Sequence, residues 1–587
     1  MKNRPTSVDD IRLRRLMAVV AVLAVIFGLR LVQFQIVEAP KINAESFAKR
    51  AVTTTIPAMR GDIVDVNGKV LATTVLAYDV NVDPTMVMPF DRTVNGASTT
   101  ISVEQATVEI SDILKVQPAE LAPKLLGTSH YSNLFKQANG SQYRKLLALD
   151  IPWLFFEAVP HRIYPNGALA GNLLGFMSKD GRPLEGLELA QDKCLAGIDG
   201  KETYERGVDG IKIPTSRQIT TAPKNGGTLK LSIDSDLQYY AQQVMAHYVL
   251  KERADWGSAV VVEAKTGRIL TAAEYPSVDP NNFTVFNDAD RRSRIFQATF
   301  EPGSTLKTVT AATAIDQGVA TPTTQVIAPQ STTVAGGYRI SDSHVHPTEH
   351  LTLQGVLIES SNTGIIQVGK RVPYATRFDY WKKFGLGERT AVNFAGEGSG
   401  IIHENTDGVS IYTTMFGQAM TVTPIQTAFL YQTIANMGVR LSPELLLDCK
   451  SATGKVTPAE NKIKPVRVLK PSTARQVISM LENNVTQKGG VGSTAAIPGY
   501  RIGGKSGTAQ IAKDNGVGYI SLHAISFIGM APAEDPQYVL AVTIYKPRTV
   551  SNSIGATPPF KDILQQVLRT YRVPPSTTKS PNIPAKW

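Results

Sequence analysis

The sequence predicts an α+β protein that begins with a transmembrane helix, continues through an elongated mixed α/β platform and ends in a larger domain with a mainly antiparallel sheet. Three observations predict this fold: an apolar run near the N-terminus, an irregular segment of short strands and helices after it, and from Thr228 an alternation of apolar strands with long helices. The predicted boundaries are 1–15 for a cytoplasmic tail, 16–37 for the anchor, 38–226 for the platform, 227–572 for the main domain and 573–587 for a flexible tail.

The apolar run from Leu16 to Val37 is interpreted as a membrane anchor. A bilayer-spanning helix takes about 20 apolar residues, and the run reaches this length because the apolar pattern resumes after Arg30. The part before Arg30 also fits the hydrophobic region of a signal peptide, an alternative that we favour less. Arg30 itself either reaches the membrane interface or contacts the transmembrane helices of a partner. The positive charges before the run predict a cytoplasmic N-terminus and an extracytoplasmic main part; they are Arg12, Arg14 and Arg15.

Charge and cysteine content argue against two functional classes. The net charge of +11 is spread over 587 residues without a long block of like charges, so we expect a solvated basic surface and no nucleic-acid partner. The two cysteines, Cys194 and Cys449, lie far apart and lack the spacing of a metal-binding framework, and we do not expect a disulfide between them. The tail after Arg572 is rich in proline and serine, which predicts disorder.

The first chemical motif of the main domain is FEPGSTLK. Ser304 and Lys307 stand three residues apart at the start of a predicted helix that ends at Gly318, so their side chains share one face. A serine becomes a strong nucleophile when a base removes its proton, and a desolvated lysine with a lowered pKa can be that base. Alone the pair is a weak signal, because Ser-x-x-Lys also occurs at Ser46 and Ser576.

The second motif is the triplet SSN, which contains Ser360 and Asn362. Its hydroxyl and amide could relay a proton and hold a substrate amide. The same residue types also cap helices, so this triplet is not specific by itself.

The third motif is KSGT, formed by Lys505, Ser506, Gly507 and Thr508. A cation and two hydroxyls could bind a substrate carboxylate, while the glycine lets a substrate backbone approach closely. The alternative interpretation is the edge of an ordinary hairpin.

The order of these three motifs resembles that of the penicillin-binding transpeptidases and serine β-lactamases. The flanking segments are similar to those of class B high-molecular-mass penicillin-binding proteins, from the anchor to about Tyr545. They read RGDIVDVNGKVLA, HRIYPNG, LSIDSDLQ, PSVDPNNF, FEPGSTLK, ISDSH, ESSNTG, FGQAMTVTPIQ, RIGGKSGTAQ and SFIGMAPAEDPQYVL. The resemblance implies a transpeptidase domain over 227–572, with an antiparallel sheet sandwiched by helices as in serine β-lactamases. It also implies a non-catalytic, dimerisation-type platform over 38–226.

The resemblance further implies a serine-type D,D-transpeptidase that crosslinks peptidoglycan stem peptides through an acyl-enzyme. Ser304 would be the nucleophile, Lys307 the base with Asn362 beside it, and Ser360 the carrier of a proton to the leaving D-alanine. The terminal carboxylate would be bound by Lys505, Ser506 and Thr508, with Gly507 between them. The backbone amides of Ser304 and Thr508 would form the oxyanion hole, and no metal or cofactor is implied. Two triplets differ from the Ser-Asp-Asn and Lys-Thr-Gly forms, but serine in place of threonine keeps the hydroxyl.

Chain length, the Ser-Ser-Asn triplet, FGQAMTVTPIQ and the absence of added C-terminal repeats favour a division-type, septal protein over the elongation type. A D,D-carboxypeptidase, which passes the acyl group to water, stays an alternative, and so does a division-complex scaffold or β-lactam sensor outside the enzymes. The implied partners are stem peptides, β-lactams as covalent inhibitors, a SEDS-type glycosyltransferase (FtsW-like), other division proteins and the membrane. The implied location is the plasma membrane at the division septum, with a single pass.

Two segments could be mistaken for functional sites. Lys265-Thr266-Gly267 matches Lys-Thr-Gly letter for letter but precedes the nucleophile, and we predict a hairpin turn there. The segment SDSHVHPTEH contains potential metal ligands with loose spacing, and the resemblance implies a loop near the active site rather than a metal centre. Those ligands are His344, His346, Glu349 and His350.

Overall fold

The computed structural model describes residues 8–94, 96–205, 216–405, 408–459, 463–487, 491–513 and 518–587. The chain forms two units. The first comprises the residues up to Ala58 together with Gly197–Asn225, and the second comprises Met59–Ala196 and Gly226–Trp587.

The helices follow the predicted pattern of short elements in the platform and longer ones in the main domain. In chain order they are α1 (Val8–Val32), α2 (Ala39–Arg50), α3 (Val103–Leu114), α4 (Pro118–Leu121), α5 (Gly140–Leu147), α6 (Gly171–Leu174), α7 (Gly186–Ala190), α8 (Asp192–Leu195), α9 (Ser235–Lys251), α10 (Asp288–Arg291), α11 (Arg294–Gln297), α12 (Lys307–Asp316), α13 (Leu353–Ile358), α14 (Asn362–Gly369), α15 (Tyr374–Lys383), α16 (Ser410–Thr413), α17 (Pro424–Ala435), α18 (Pro471–Thr486) and α19 (Thr557–Thr570).

The strands are short in the platform, with the exception of two, and long in the main sheet. In chain order they are β1 (Ala51–Ile56), β2 (Ile63–Val64), β3 (Val70–Val82), β4 (Phe90–Val94), β5 (Ala97–Ile101), β6 (Ser132–Ala138), β7 (Leu154–Ile163), β8 (Gly200–Glu205), β9 (Gln218–Thr221), β10 (Thr228–Leu231), β11 (Trp256–Glu263), β12 (Ile269–Tyr275), β13 (Gln325–Ala328), β14 (Ser331–Thr333), β15 (Arg339–Ser341), β16 (Glu349–Thr352), β17 (Val439–Arg440), β18 (Leu446–Lys450), β19 (Val456–Pro458), β20 (Val466–Arg467), β21 (Gly503–Ala512), β22 (Tyr519–Ala531) and β23 (Tyr538–Tyr545).

The first unit contains the apolar helix and a small sheet. Helix α1 continues as a π-helix over Gln33–Val37, and Val8–Val37 is long and apolar enough to cross a membrane. Arg30 donates a hydrogen bond to Gln33, whose amide donates to Glu38, so the polar groups at the C-terminal end of this helix satisfy one another. Strands β1, β8 and β9 form an antiparallel sheet in the same unit. These features fit a single-pass membrane anchor.

In the second unit, one sheet combines strands of the platform with strands of the main domain. Its order is β19-β18-β10-β2-β3-β6, with β7 paired to the other side of β3. Strand β10 lies between β2, which it pairs in parallel, and β18, which it pairs antiparallel. The sheet therefore crosses the boundary that we placed at residue 226.

A buried carboxylate joins two platform segments that carried the family resemblance. The Glu188 side chain is fully buried and accepts hydrogen bonds from Arg60 Nε at 2.6 Å and from Arg162 Nε at 2.7 Å. The Tyr164 hydroxyl donates to the same carboxylate at 3.2 Å. Such a buried charge is stable only while its partners remain, so RGDIVDVNGKVLA and HRIYPNG depend on one another here.

The sequence predicts that the two cysteines do not form a disulfide, and this prediction is wrong. Cys194 and Cys449 form a disulfide, with their Cα atoms 6.1 Å apart. Cys194 lies in α8 and Cys449 in β18, and the shared sheet brings these elements together because β10 pairs with β18 and the amide of Gly227 binds the carbonyl of Cys194. This contact could not be predicted from the sequence, because the spacing of two distant cysteines does not indicate that a sheet joins the two domains.

The main sheet confirms the predicted sandwich. Strands β12-β11-β23-β22-β21 form a five-stranded antiparallel sheet. Alternate residues of each strand enter two separate cores: Val261 packs with α9 and α19 residues, whereas Val260 packs with α12, α17 and α18 residues. Because both faces are covered by helices, the inner strands β11 and β23 are nearly continuous runs of buried, mostly apolar residues rather than alternating ones.

The triplet Lys265-Thr266-Gly267 forms the turn between β11 and β12, as predicted. Gly267 has a φ of 78°, in the left-handed region that favours glycine at a turn. Lys265 binds Asp535 at the surface, with Nζ 2.8 Å from Oδ1. Lys265 therefore lies in a turn, and its ammonium group is held in a surface ion pair.

Residues 573–587 differ from the predicted disordered tail. They form an extended segment, called the C-terminal strap below, that is hydrogen-bonded at several points to the main domain. The prolines that suggested disorder keep this backbone extended, and several of its amide and carbonyl groups find partners on the domain surface.

Candidate active site

The nucleophile candidate Ser304 lies on a 3₁₀ turn, Gly303–Leu306, that leads directly into α12. Gly303 has a φ of 57°, and a Cβ at this position would lie 2.9 Å from the carbonyl oxygen of Thr508. The glycine therefore permits both the turn and the close approach of β21. The predicted helix start is confirmed, and it presents Ser304 beside that strand.

Lys307 is fully buried and reaches the serine. Its Nζ donates to Ser304 Oγ at 3.0 Å, to Ser360 Oγ at 3.3 Å and to the Ser360 carbonyl. Burial holds the pKa of Lys307 well below its usual value; the nearby Lys505 lowers it further, whereas Asp342 acts in the opposite direction. A neutral amine at this place can accept the proton of Ser304.

Ser360 connects the two lysines of the site. It lies between α13 and α14 with a φ of 54°, a strained conformation for a residue other than glycine. Lys505 Nζ donates to Ser360 Oγ at 3.0 Å, and burial lowers the pKa of Lys505 to about 7. The Ser360 hydroxyl therefore accepts from two amines whose pKa values are both lowered by burial, which suits a proton relay.

The KSGT motif lies on β21, which is an edge strand of the main sheet. Ser506 and Thr508 are half-buried on one face of this strand, since side chains alternate along it. Gly507 is buried between them, and a Cβ there would lie 2.6 Å from Ser526 Oγ and 2.8 Å from Thr305 Cγ2. The edge of β21 thus packs against the serine turn and offers backbone groups to an extended peptide.

Two family models match this chain. The penicillin-binding protein transpeptidase domain matches residues 257–565, more than half of the chain, and the penicillin-binding protein dimerisation domain matches residues 55–231. The chain belongs to the class B penicillin-binding proteins.

Relatives of this penicillin-binding protein match over nearly its whole length. Penicillin-binding protein PbpB of Mycolicibacterium smegmatis is 35% identical, with 96% of this chain and 91% of the relative covered. Peptidoglycan D,D-transpeptidase FtsI of Escherichia coli K12 is 30% identical, with 94% and 90% covered. The crystal structure of penicillin-binding protein 3 from Mycobacterium tuberculosis complexed with aztreonam has a TM-score of 0.70 at 27% identity, covering 91% of this chain and all of that one.

The side-chain amide of Asn362 is hydrogen-bonded to the backbone of the neighbouring strand β15. The Nδ2 atom of Asn362 donates to the Ser341 carbonyl at 3.0 Å, and its backbone amide donates to Asp342 at 2.5 Å. No hydrogen bond between Asn362 and Lys307 is present among the described residues, which differs from the expected neighbourhood. Asn362 starts α14 in this penicillin-binding protein, and its amide is held by the loop of the ISDSH segment.

Asp342 is a residue that the sequence reasoning did not select. It is buried and accepts from Ser361 Oγ at 2.6 Å, from the Thr363 amide at 3.0 Å and from His346 Nε2 at 3.1 Å. This carboxylate fixes the start of α14, and therefore the position of the adjoining Ser360. Its signal was the ISDSH segment itself, which the family resemblance placed near the active site without a role for the aspartate.

The histidine-rich loop is organised by protein contacts. His346 binds Asp342 and the Pro347 carbonyl, and Glu349 forms an ion pair with Lys586. In the part of the chain that the structure describes, no three histidine, cysteine or acidic side chains are grouped so that they could hold a metal ion.

Glu301, in the motif FEPGSTLK, also lies close to the nucleophile in sequence and is partly buried. Its carboxyl accepts from the Ala419 amide at 2.9 Å and from the Tyr519 hydroxyl at 3.4 Å. Burial raises the pKa of Glu301 to about 7, so this group is easily protonated. Its contacts join the serine turn to the loop at Ala419 and to the first residue of β22.

Proposed function

We propose that this chain is a peptidoglycan D,D-transpeptidase of septal wall synthesis in which Ser304 forms the acyl-enzyme. The observation that carries the proposal is the position of Lys307, which is fully buried and in hydrogen-bond contact with both Ser304 and Ser360. Burial lowers the pKa of Lys307 and so favours its neutral form, which is the form that a general base needs.

In the acylation step, Ser304 Oγ attacks the carbonyl carbon between the two terminal D-alanines while Lys307 takes its proton. A C–O bond forms, and the negative charge on the carbonyl oxygen is stabilised by the backbone amides of Ser304 and Thr508, each worth about 3 kcal/mol in comparable sites. The C–N bond then breaks, and Ser360 passes the proton from Lys307 to the nitrogen of the leaving D-alanine.

Substrate binding uses the edge of β21. The terminal carboxylate of the stem peptide binds beside Ser506 and Thr508, and Lys505 carries a positive charge when this anion is present. The peptide backbone extends along the free edge of the strand, where Gly507 allows the serine turn to come close.

In the second step, the amine of a neighbouring stem peptide attacks the ester carbonyl of the acylated Ser304. A new amide bond forms, the C–O bond breaks, and the proton of the amine returns through Lys307 to Ser304 Oγ. Attack by water instead would give a D,D-carboxypeptidase, which uses the same residues; the names of the relatives favour the transpeptidase.

The division role rests on the relatives and on the apolar helix. Relatives named FtsI, PbpB and stage V sporulation protein D favour the septal over the elongation type. We infer an N-terminus in the cytoplasm and a catalytic domain outside, which the Cys194–Cys449 disulfide supports because disulfides persist in oxidising compartments. A SEDS-type glycosyltransferase (FtsW-like) would be the partner in the same membrane.

The proposal is tested with fluorescent penicillin on the purified chain. Wild type should be labelled covalently, with the mass shift on the peptide containing Ser304, and Ser304→Ala should not be labelled. Ser46→Ala, which removes the serine of a chance Ser-x-x-Lys match, is the control and should label like wild type. Labelling that persists in Ser304→Ala would contradict the assignment.

The division role has its own test. Depletion of the protein in its cell should block septation while elongation continues. Loss of elongated shape with normal septation would support the elongation type instead.

A further inference from the structure

The C-terminal strap passes along both halves of the active site. One half is the start of β21, which carries Lys505, and the other is the segment from β16 through α13 that leads to Ser360. The two halves meet where Lys505 Nζ donates to Ser360 Oγ at 3.0 Å. Anything that fixes both halves also fixes this contact.

The first part of the strap is bound to the residues that precede β21. The Ser576 amide donates to the Gly499 carbonyl at 2.9 Å, and Ser576 Oγ accepts from the Arg501 amide at 3.0 Å. The Arg501 guanidinium donates to Thr578 Oγ1 at 2.5 Å and, through two other nitrogens, to Glu482 on α18 at 2.7 Å. The start of β21 is thereby tied to both the strap and α18.

The last part of the strap is bound to β16 and to the start of α13. The Thr352 amide donates to the Ala585 carbonyl at 2.9 Å, and Thr352 Oγ1 donates to the Pro584 carbonyl at 2.5 Å. Lys586 forms an antiparallel bridge with Leu351. The strap therefore pairs with the edge of β16 through one isolated β-bridge.

Helix α18 lies between these two attachments. Gln354 of α13 donates to the Met480 carbonyl at 3.1 Å and to Asn484 Oδ1 at 3.3 Å, and Asn484 Nδ2 donates to the Gly504 carbonyl of β21 at 3.2 Å. The Ile583 amide of the strap donates to Asn483 on the same helix at 3.3 Å. These bonds form a continuous path from the strap to both catalytic elements.

Gly355 gives a way to displace the strap without damaging the helix. A Cβ at this position, in the first turn of α13, would lie 1.9 Å from the Ala585 carbonyl oxygen. Alanine has a higher helix propensity than glycine, so the helix itself would tolerate the substitution. The strap carbonyl would have to move away.

We propose that the C-terminal strap is a positioning element of the acyl-transfer site, which holds β21 and the α13 segment at the spacing where Lys505 reaches Ser360. This inference rests on the proposed function for the roles of those two residues. Acyl transfer depends on positions within fractions of an ångström, and a shift of about 1 Å can cost about 10²-fold in rate. The strap acts through the catalytic residues.

The test compares four forms of the full-length chain: wild type, Gly355→Ala, a deletion of residues 584–587, and the two changes combined. The rate constant for acylation by fluorescent penicillin should fall about 10- to 100-fold in each single variant. The combination should be no slower than the deletion alone, because the substituted Cβ then has no strap to displace. Gly140→Ala is the matched control, since a Cβ at the start of α5 meets no atom within 4 Å, and it should acylate like wild type.

Two further readouts separate positioning from a general loss of stability. Displacing the strap should let water reach Lys307 and move Lys505 away, so the pKa of Lys307 rises and the acidic limb of the acylation profile shifts to higher pH. Hydrogen exchange should increase together in residues 351–362 and 503–508. A merely structural role would reduce the folded fraction and leave the pH profile of the folded enzyme unchanged.

The proposal is overturned if Gly355→Ala and the deletion acylate at the wild-type rate, if their effects add, or if the pH profile does not move. Absence of acylation in wild type would contradict the proposed function instead. The strap would then be judged by hydrogen exchange alone, which needs no activity, and protection unchanged in both segments would refute it.

Discussion

The chain contains two lysine triplets of nearly the same sequence, and their surroundings are opposite. Lys265 lies in a turn with a side chain that is 57% exposed and paired with Asp535 at 2.8 Å. Lys505 lies in an edge strand, is 2% exposed, and donates to Ser360 Oγ at 3.0 Å. The sequences Lys-Thr-Gly and Lys-Ser-Gly do not distinguish the two lysines. Their burial and their contact with Ser360 do. Desolvation and neighbouring groups determine the pKa of an amine, so the position of each triplet in the sheet decides which lysine can take part in catalysis.

The largest expected difference is between Lys505→Ala and Lys265→Ala. Loss of Lys505 removes the ammonium that we propose binds the substrate carboxylate and also removes a hydrogen-bond donor to Ser360, so the acylation rate constant should fall about 10²- to 10³-fold. Lys265→Ala should leave it unchanged, because an exposed ion pair contributes little even to stability. Both are measured with fluorescent penicillin on folded protein. Normal acylation in Lys505→Ala with loss in Lys265→Ala would reverse the comparison.

The glycines of the two triplets should separate activity from stability. Gly507→Ala places a Cβ 2.6 Å from Ser526 Oγ and 2.8 Å from Thr305 Cγ2, so β21 must move from the serine turn and acylation should fall about 10- to 100-fold. Gly267→Ala forces alanine into the left-handed region, so it should lower the free energy of unfolding by about 1 to 2 kcal/mol without changing acylation. Thermal melts and acylation rates are compared for both variants. Equal effects on acylation would show that the two turns are not functionally distinct.

A smaller effect is expected in the pH dependence of acylation. Because burial lowers the pKa of Lys505 to about 7, this lysine loses its charge above that pH in the free enzyme. The acylation rate constant for penicillin, which carries a carboxylate, should therefore decline above about pH 7, by at most about tenfold per pH unit. Lys265→Ala should have the same profile. A rate constant that stays flat to pH 9 would contradict the assignment of carboxylate binding to Lys505.

Local features of the fold were accessible from the sequence because they depend on short-range patterns. The helix after Ser304, the turn at Lys265 and the strands of the main sheet each follow from glycine, proline and apolar spacing within a few residues. The order of the three motifs predicted that Ser304, Lys307, Ser360 and Lys505 share one site, although each motif alone was a weak signal.

The features that the sequence did not reveal all depend on contacts between distant segments. The disulfide requires a sheet that joins the platform to β18, and the strap requires hydrogen-bond partners on three separate segments of the main domain. Asp342 was visible in a family segment, but its role as a hydrogen-bond acceptor for the start of α14 follows from the fold alone. Asn362 occupies the expected segment, yet its side-chain amide donates to the Ser341 carbonyl of β15, a contact that depends on how the fold places β15 beside α14.

The sheet shared by the platform and the main domain sets an order of events for an exported chain. Strand β10 can pair with β2 early, but β18 emerges much later, since Cys449 follows Cys194 by 255 residues. In a chain exported as proposed above, Cys194 would remain a free thiol while the following 255 residues are delivered. With two cysteines in the whole sequence, it has no wrong partner within its own chain during that interval, and any mispaired disulfide must join two molecules. The low number of cysteines thus prevents mispairing within the chain during the time in which the platform sheet still lacks its strands from the main domain.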